Sequence, residues 1–191
     1  MADNPVDRRA FFAQGFRKAF GKAVEAVERK VAPGQYVRPP GALPEAAFLA
    51  ACTRCGECTV RCPVHAISPL GPKTGFASGT PALKPDLTAC VMCLEMPCAT
   101  YCPTDALAVP SDGWKYVKMA RIEIDTERCI AYHDTECGVC AQVCPAGYEA
   151  IALNELGRPE IGARCTGCGT CVIACVTTPK SISLTPIGNF S

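Results

Sequence analysis

The chain has few of the features that mark a substrate site. It contains no G-x-G-x-x-G, no P-loop and no nucleophile–base constellation, which argues against dinucleotide, nucleoside triphosphate and acyl-transfer chemistry. No segment approaches the apolar length needed to span a membrane as a helix. Formal net charge is only +1, so there is no electrostatic reason to expect nucleic acid. Histidine is scarce, with two residues in 191, and there is one tryptophan. Trp114 and Tyr116 are expected to be packing residues on a hairpin, not electron carriers.

What the chain does have is sixteen cysteines in four sets of four. They are Cys52-Cys55-Cys58-Cys62, Cys90-Cys93-Cys98-Cys102, Cys129-Cys137-Cys140-Cys144 and Cys165-Cys168-Cys171-Cys175. The first reads C-x2-C-x2-C-x3-C-P, the run that holds a [4Fe–4S] cluster in bacterial ferredoxins. Short gaps let one loop present three sulfurs to a cubane, with amide N–H groups turned toward its negative charge. The fourth cysteine lies four residues on, about 5.4 Å along a helical turn, and reaches a neighbouring cluster. Pro63, Pro103 and Pro145 then stop the turn. The second set has a longer gap between Cys93 and Cys98, the third a longer one between Cys129 and Cys137, and both predict longer loops. The fourth set carries Val176 in place of proline, which predicts a different exit from the site and not loss of the cluster. Four sets imply four [4Fe–4S] clusters, and a string of clusters conducts electrons.

Two other uses of cysteine compete. Structural zinc uses two well-separated C-x2-C pairs, which is not this pattern. A disulfide scaffold suits small secreted domains without a core, whereas 49% of this chain is hydrophobic and the four-fold repeat would be unexplained. His65 and His133 lie beside or within the sets, but sixteen cysteines already complete four sites; a surface or supporting role is expected for both.

Each set is flanked by short apolar stretches that predict strands: Ala66–Ser68, Ala106–Val109, Ala150–Leu153 and Ser181–Leu184 after the fourth cysteine. Arg121–Asp125 alternates as a half-buried strand should, and Pro159–Gly162 is a shorter candidate. The unit is therefore strand, cluster loop, helical turn, strand, and two units make one module. The predicted fold is α+β, with two tandem bacterial-type 2[4Fe–4S] ferredoxin modules. Residues 71–81 read as an irregular connector and Ser111-Asp112-Gly113 as a turn. Because clusters replace much of the core, the metal-free chain is expected to be largely unfolded.

The sequence resembles the ferredoxin-type polyferredoxins associated with periplasmic nitrate reductase and methylamine utilisation. The resemblance runs over residues 36–187. It is carried by Arg38-Pro39-Pro40-Gly41-Ala42, Phe48–Gly56, Cys90–Cys93 through Cys98, Cys102–Leu107, Cys137–Cys140, Val143–Pro145 and Cys165–Gly169 ending Cys175-Val176. Relatives with a four-set layout, including iron–sulfur subunits of molybdenum and tungsten oxidoreductases, pair their sets in a nested way. That resemblance implies one module from the sets at 52–62 and 165–175, and the other from those at 90–102 and 129–144. Ligand groups would then be Cys52, Cys55, Cys58 with Cys175; Cys165, Cys168, Cys171 with Cys62; Cys90, Cys93, Cys98 with Cys144; and Cys129, Cys137, Cys140 with Cys102. Spacing alone leaves sequential pairing open, first with second and third with fourth.

The resemblance further implies an electron-transfer subunit, not an enzyme, that relays electrons between a large catalytic oxidoreductase subunit and another redox partner. A tungsten-dependent aldehyde oxidoreductase is the specific candidate. The alternatives are a quinol-to-reductase relay of periplasmic type, and a regulatory protein with a sensing cluster, which would need one exposed labile cluster and not four in series.

Residues 1–33 read as a separate arm and 188–191 as a tail. Phe12, Phe16, Phe20, Val24, Val27 and Val31 form one apolar stripe on a predicted helix, with Asp7 suited to its N-cap and Pro33-Gly34 ending it. Residues 1–31 carry seven basic and four acidic groups. The stripe can dock on a partner or on another copy of the chain, extending into a filament or oligomer, or fold back on its own body; membrane binding is the least expected. Asp7–Phe12 resembles a twin-arginine export motif, but charged residues fill the stretch where an apolar h-region belongs. A retained arm and a cytoplasmic protein are expected, with periplasmic export as the alternative.

Overall fold

The computed structural model describes residues 36–187; the arm expected at the N-terminus and the tail lie outside the described residues. In chain order the elements are α1 (Glu45–Ala51), α2 (Glu57–Arg61), β1 (Ile67–Pro69), β2 (Pro81–Leu83), α3 (Pro97–Thr100), β3 (Ala120–Ile124), α4 (Val139–Gln142), β4 (Ile151–Leu153), β5 (Pro159–Ile161), α5 (Thr170–Ala174) and β6 (Ile182–Pro186). Short 3₁₀ turns lie at Pro72–Ala77 and Ile130–Tyr132. No helix exceeds seven residues among those described, too short to persist alone, so packing must hold each in place.

The strands form three two-stranded antiparallel sheets. β1 pairs with β2 (Ile67 opposite Leu83) and β4 with β5 (Ile151 opposite Ile161), each a hairpin that follows a fourth cysteine. β3 pairs with β6 over five residues, from Ala120 opposite Pro186 to Ile124 opposite Ile182. The alternation read at Arg121–Asp125 holds: Ile122 is buried while Arg121 and Glu123 face out. The expected strand at Ala106–Val109 is reduced to one bridge, Ala42 to Leu107. Pro39 and Pro40 on the facing stretch have no N–H to offer, and Pro110 ends the other side. What remains is Leu43 N–H to Ala106 O (3.1 Å) and Ala108 N–H to Gly41 O (2.8 Å). Gly41 is required there: its φ is +78°, and a Cβ would fall 1.9 Å from the Ala108 carbonyl oxygen.

Helices of adjacent sets pack together. Helix α2 of the first set packs on α3 of the second, and α4 of the third on α5 of the fourth. The packed helices belong to sets that are neighbours in sequence, where the resemblance implied first with fourth and second with third. The reason lies in chain length: the β1–β2 hairpin returns the chain directly from the first set to the second, and β4–β5 does the same between the third and fourth.

Each module has its own apolar cluster. The first gathers Val37, Phe48, Ile67, Leu83, Met96 and Leu107, and continues to Val117, Met119, Ala120 and Cys168. The second is smaller: Ile122, Ile151 and Ile182 with Cys140, Cys171 and Cys175. The first also buries a charge. Arg38 and Glu45 are 3% and 7% exposed and form a two-pronged ion pair, Nε to Oε2 at 2.9 Å and Nη2 to Oε1 at 2.5 Å. Arg38 Nη1 also donates to Thr80 Oγ1 (2.9 Å) and Pro81 O (2.7 Å), and its guanidinium lies 4.6 Å from the Phe48 ring centroid. These contacts pin residues 36–43 and α1 to β2.

Candidate metal centres

The cysteine loops share a backbone device. The residue before the second cysteine is left-handed in three sets: Arg54 (φ 61°), Met92 (φ 55°) and Gly167 (φ 73°). So is the third residue after the fourth cysteine in the three proline-bearing sets: His65 (φ 53°), Asp105 (φ 54°) and Gly147 (φ 71°). Left-handed residues turn successive amides to one side, which builds an anion-binding concavity. Behind the first two fourth-position cysteines an amide then meets the sulfur: Ala66 N to Cys62 Sγ at 3.3 Å and Leu107 N to Cys102 Sγ at 3.5 Å.

The sulfurs surround cavities. Cys52, Cys55 and Cys58 line one together with Cys102. Cys90, Cys93 and Cys98 line a second with Cys62. Cys165, Cys168 and Cys171 line a third with Cys144. Cys140 has the Cys129 and Cys137 thiols as neighbours, and Cys175 caps the C-terminal end of α5, the helix that packs on α4. Of the sixteen, only Cys55 is exposed; the others are buried or half-buried. His65 and His133 line none of these three cavities. His133 Nε2 instead meets Glu127 O at 2.9 Å.

Several of the thiols are costly to ionise where they sit, whereas, despite burial, hydrogen bonds hold Cys102 and Cys175 below the usual thiol range. Burial, with neighbouring cysteines adding to it, pushes Cys58 up to about 11 and Cys90, Cys98 and Cys171 up to about 12. A group of thiolates in such a place needs a positive core among them, and assembly on them must release protons. Among the described residues no group of three or more His, Cys, Asp or Glu could hold a single metal ion. Three cavities that each gather four cysteines, three from one set and one from its neighbour, fit an iron–sulfur cubane.

Two family models, each described as a 4Fe-4S dicluster domain, match the chain, one at residues 51–106 and the other at residues 121–176. Each match takes in two adjacent sets. The methylamine utilization ferredoxin-type protein MauM of Methylophilus methylotrophus is 37% identical, over 94% of this chain and 87% of the relative. MauM of Paracoccus denitrificans is 38% identical over 87% and 79%. The ferredoxin-type protein NapG of Escherichia coli is 32% identical over 94% and 86%. The chain belongs to this four-cluster ferredoxin-type family. It carries four [4Fe–4S] clusters and transfers electrons. No solved structure matches it.

In this ferredoxin-type protein the two modules touch loop to loop. Cys90 N–H donates to Cys168 O (3.2 Å) and Thr170 Oγ1 to Cys90 O (3.3 Å). The Cys168 thiol is also a neighbour of Cys90. Gly169 permits the approach: a Cβ there would meet the Pro85 Cβ at 2.3 Å, while one on Gly167 would meet Ala120 O of β3 at 2.1 Å and displace the loop that carries Cys168. The second and third cavities are thus the inner pair, and the remaining two groups of cysteines lie toward the ends.

Several contributors escaped the sequence reading. Trp114 is half-buried and donates from Nε1 to Cys93 O (2.9 Å), bracing the second loop. It stands among turns and not on a hairpin, and Tyr116 is 66% exposed, so only one of the two aromatics packs as expected. The fourth set makes up for its missing proline with hydroxyls: Thr177 Oγ1 and Ser181 Oγ each lie 3.2 Å from Cys175 Sγ. The only sequence signal for that was the Ser and Thr content of residues 177–183.

Proposed function

We propose that the sixteen cysteines ligate the four clusters in sequential crossed pairs. Cys52, Cys55, Cys58 and Cys102 hold the first; Cys90, Cys93, Cys98 and Cys62 the second. Cys165, Cys168, Cys171 and Cys144 hold the third, and Cys129, Cys137, Cys140 and Cys175 the fourth. The single observation that carries this reading is the grouping, in three cavities, of three cysteines with a fourth from the adjacent set; the last group follows by elimination. Electrons then pass along the four in that order or its reverse. The Cys90–Cys168 junction is the crossing between modules, and exposed Cys55 marks one end.

The chain acts as the relay subunit of an oxidoreductase complex. Its redox role is one-electron exchange at each cluster; any two-electron substrate chemistry belongs to a large catalytic partner. A tungsten-dependent aldehyde oxidoreductase is our specific candidate, and it rests on the family resemblance. We place the protein in the cytoplasm, with the arm at residues 1–33 as the docking segment for that partner or for another copy of the chain. Among the described residues no helix is long and apolar enough to cross a membrane.

Anaerobic purification with iron, sulfide and metal analysis tests the reading. It predicts about 16 Fe per chain, four per cluster, and a co-purifying subunit containing tungsten. Near-stoichiometric zinc would overturn the ligand assignment. A quinol-oxidising membrane partner, or the protein in the periplasmic fraction, would overturn the partner and location.

A further inference from the structure

Three of the four cysteines that close a set are not supported alike. Cys62 accepts from a backbone amide, Ala66 N at 3.3 Å. Cys102 accepts from Leu107 N at 3.5 Å, with the Thr104 hydroxyl farther off at 3.8 Å. Cys175 instead has two hydroxyls at 3.2 Å, from Thr177 and Ser181. Their protons are directed. The Ser181 amide donates to Thr177 Oγ1 at 2.8 Å, which occupies that oxygen as an acceptor and leaves its O–H for the sulfur. Ser181 is 2% exposed, and its carbonyl accepts from Asp125 N–H at 2.7 Å, so water does not compete for its hydroxyl and the backbone cannot drift. Lys180 Nζ caps the carbonyls of Ile173 and Cys175, holding the end of α5 in place. A thiolate bound to iron has no proton of its own, so both hydroxyls must donate to it.

We propose that Thr177 and Ser181 raise the reduction potential of the cluster that Cys175 ligates, setting it apart from the other three. Hydrogen bonds to a ligating sulfur withdraw charge from the cluster and favour the form with one more electron. The electron added to this cluster comes from its neighbour in the chain of four, which is oxidised by one electron in the same step. The pair therefore draws electrons toward the module end built on Cys129, Cys137 and Cys140. These are positioning residues: they act through the cysteine and touch no substrate. The inference rests on Cys175 being a cluster ligand, so the test contains a separate arm for that.

The experiment is a potentiometric titration of the anaerobically purified full-length protein, followed by low-temperature electron paramagnetic resonance, with iron content measured alongside. In a Thr177→Val/Ser181→Ala variant, iron stays at the wild-type level and one midpoint of four falls. At a fixed potential near that midpoint, the ratio of reduced to oxidised cluster drops about tenfold, equal to about 59 mV for one electron. Ser181→Thr, which keeps the hydroxyl, restores most of the shift when Thr177 is intact. Cys175→Ala removes or converts the same signal. If Cys175→Ala leaves all four signals unchanged, the ligand assignment fails. If it removes one, yet the double variant retains its iron and all four midpoints, the potential-setting role alone is overturned. Should the double variant lose iron, Thr177→Ser and Ser181→Ala are titrated singly; an unmoved midpoint in Ser181→Ala overturns the proposal.

Discussion

The two modules hold the same kind of centre in frames that close differently. The second closes with a regular five-residue antiparallel pair, β3 with β6, that brackets both cysteine sets. The first closes on a single bridge between Ala42 and Leu107, and a buried Arg38–Glu45 ion pair ties its entering chain to β2. The cluster loops, the short helices and the intervening hairpin recur in both; the outer strands do not. The difference teaches that the repeat is defined by cysteine loops and their turns. What seals the edge is free to vary so long as it covers the inner hairpin. The apolar clusters differ likewise, larger around Phe48, Met96 and Leu107 and smaller around three isoleucines.

The largest way to break the comparison is to remove the clusters. Stripping iron with chelator and oxidant should unfold the second module completely and the first largely, because the smaller apolar cluster cannot hold the chain without its centres. Hydrogen exchange would show amides of β3 and β6 losing protection, with those around Phe48 and Leu83 losing it no sooner. Native-like protection in β3 and β6 of the metal-free chain would count against the account.

Next in size is Arg38→Ala. It leaves a buried Glu45 carboxylate without its partner and should cost on the order of 3–5 kcal/mol. The effect should fall on the first module: under urea, signals of the clusters proposed for the first two sets bleach earlier, while those of the last two keep their midpoint. Replacing both partners, Arg38→Met with Glu45→Leu, should be much milder. Equal loss from both modules would show that they do not seal independently.

A smaller effect separates two glycines of similar backbone shape. Gly56 (φ +82°) faces open space, so Gly56→Ala should cost only the left-handed penalty, about 1–2 kcal/mol. Gly167 (φ +73°) has the Ala120 carbonyl where a Cβ would go. Gly167→Ala should therefore destabilise more and should also disturb the contact between Cys90 and Cys168, seen as weakened magnetic coupling between the inner clusters. The smallest expected change is Glu57→Gln, which removes an exposed pair with Arg61 (3.4 Å) and should move stability by about 0–1 kcal/mol in a urea titration.

The sequence carried the chemistry plainly because iron–sulfur ligation demands thiols at short fixed gaps. It also carried the alternation at Arg121–Asp125, because one buried face selects every second residue. It was silent on pairing: a cysteine four residues past the third of its set can reach any neighbouring cluster, and spacing does not say which neighbour folding brings. The strand expected at Ala106–Val109 failed because its apolar character says nothing about a facing stretch with two prolines. Arg38 was visible only as part of a motif. Its burial follows from Glu45 and Thr80, seven and forty-two residues away, and long-range partnership leaves no local mark.

The sequential crossing of Cys62 and Cys102 is the point on which the rest turns. Anomalous diffraction at the iron edge from crystals of the anaerobic holoprotein would test it directly. Four iron centres are predicted, with Cys62 bound to the one held by Cys90, Cys93 and Cys98, and Cys102 to the one held by Cys52, Cys55 and Cys58. Cys62 bound instead to the centre of Cys165, Cys168 and Cys171 would contradict the account.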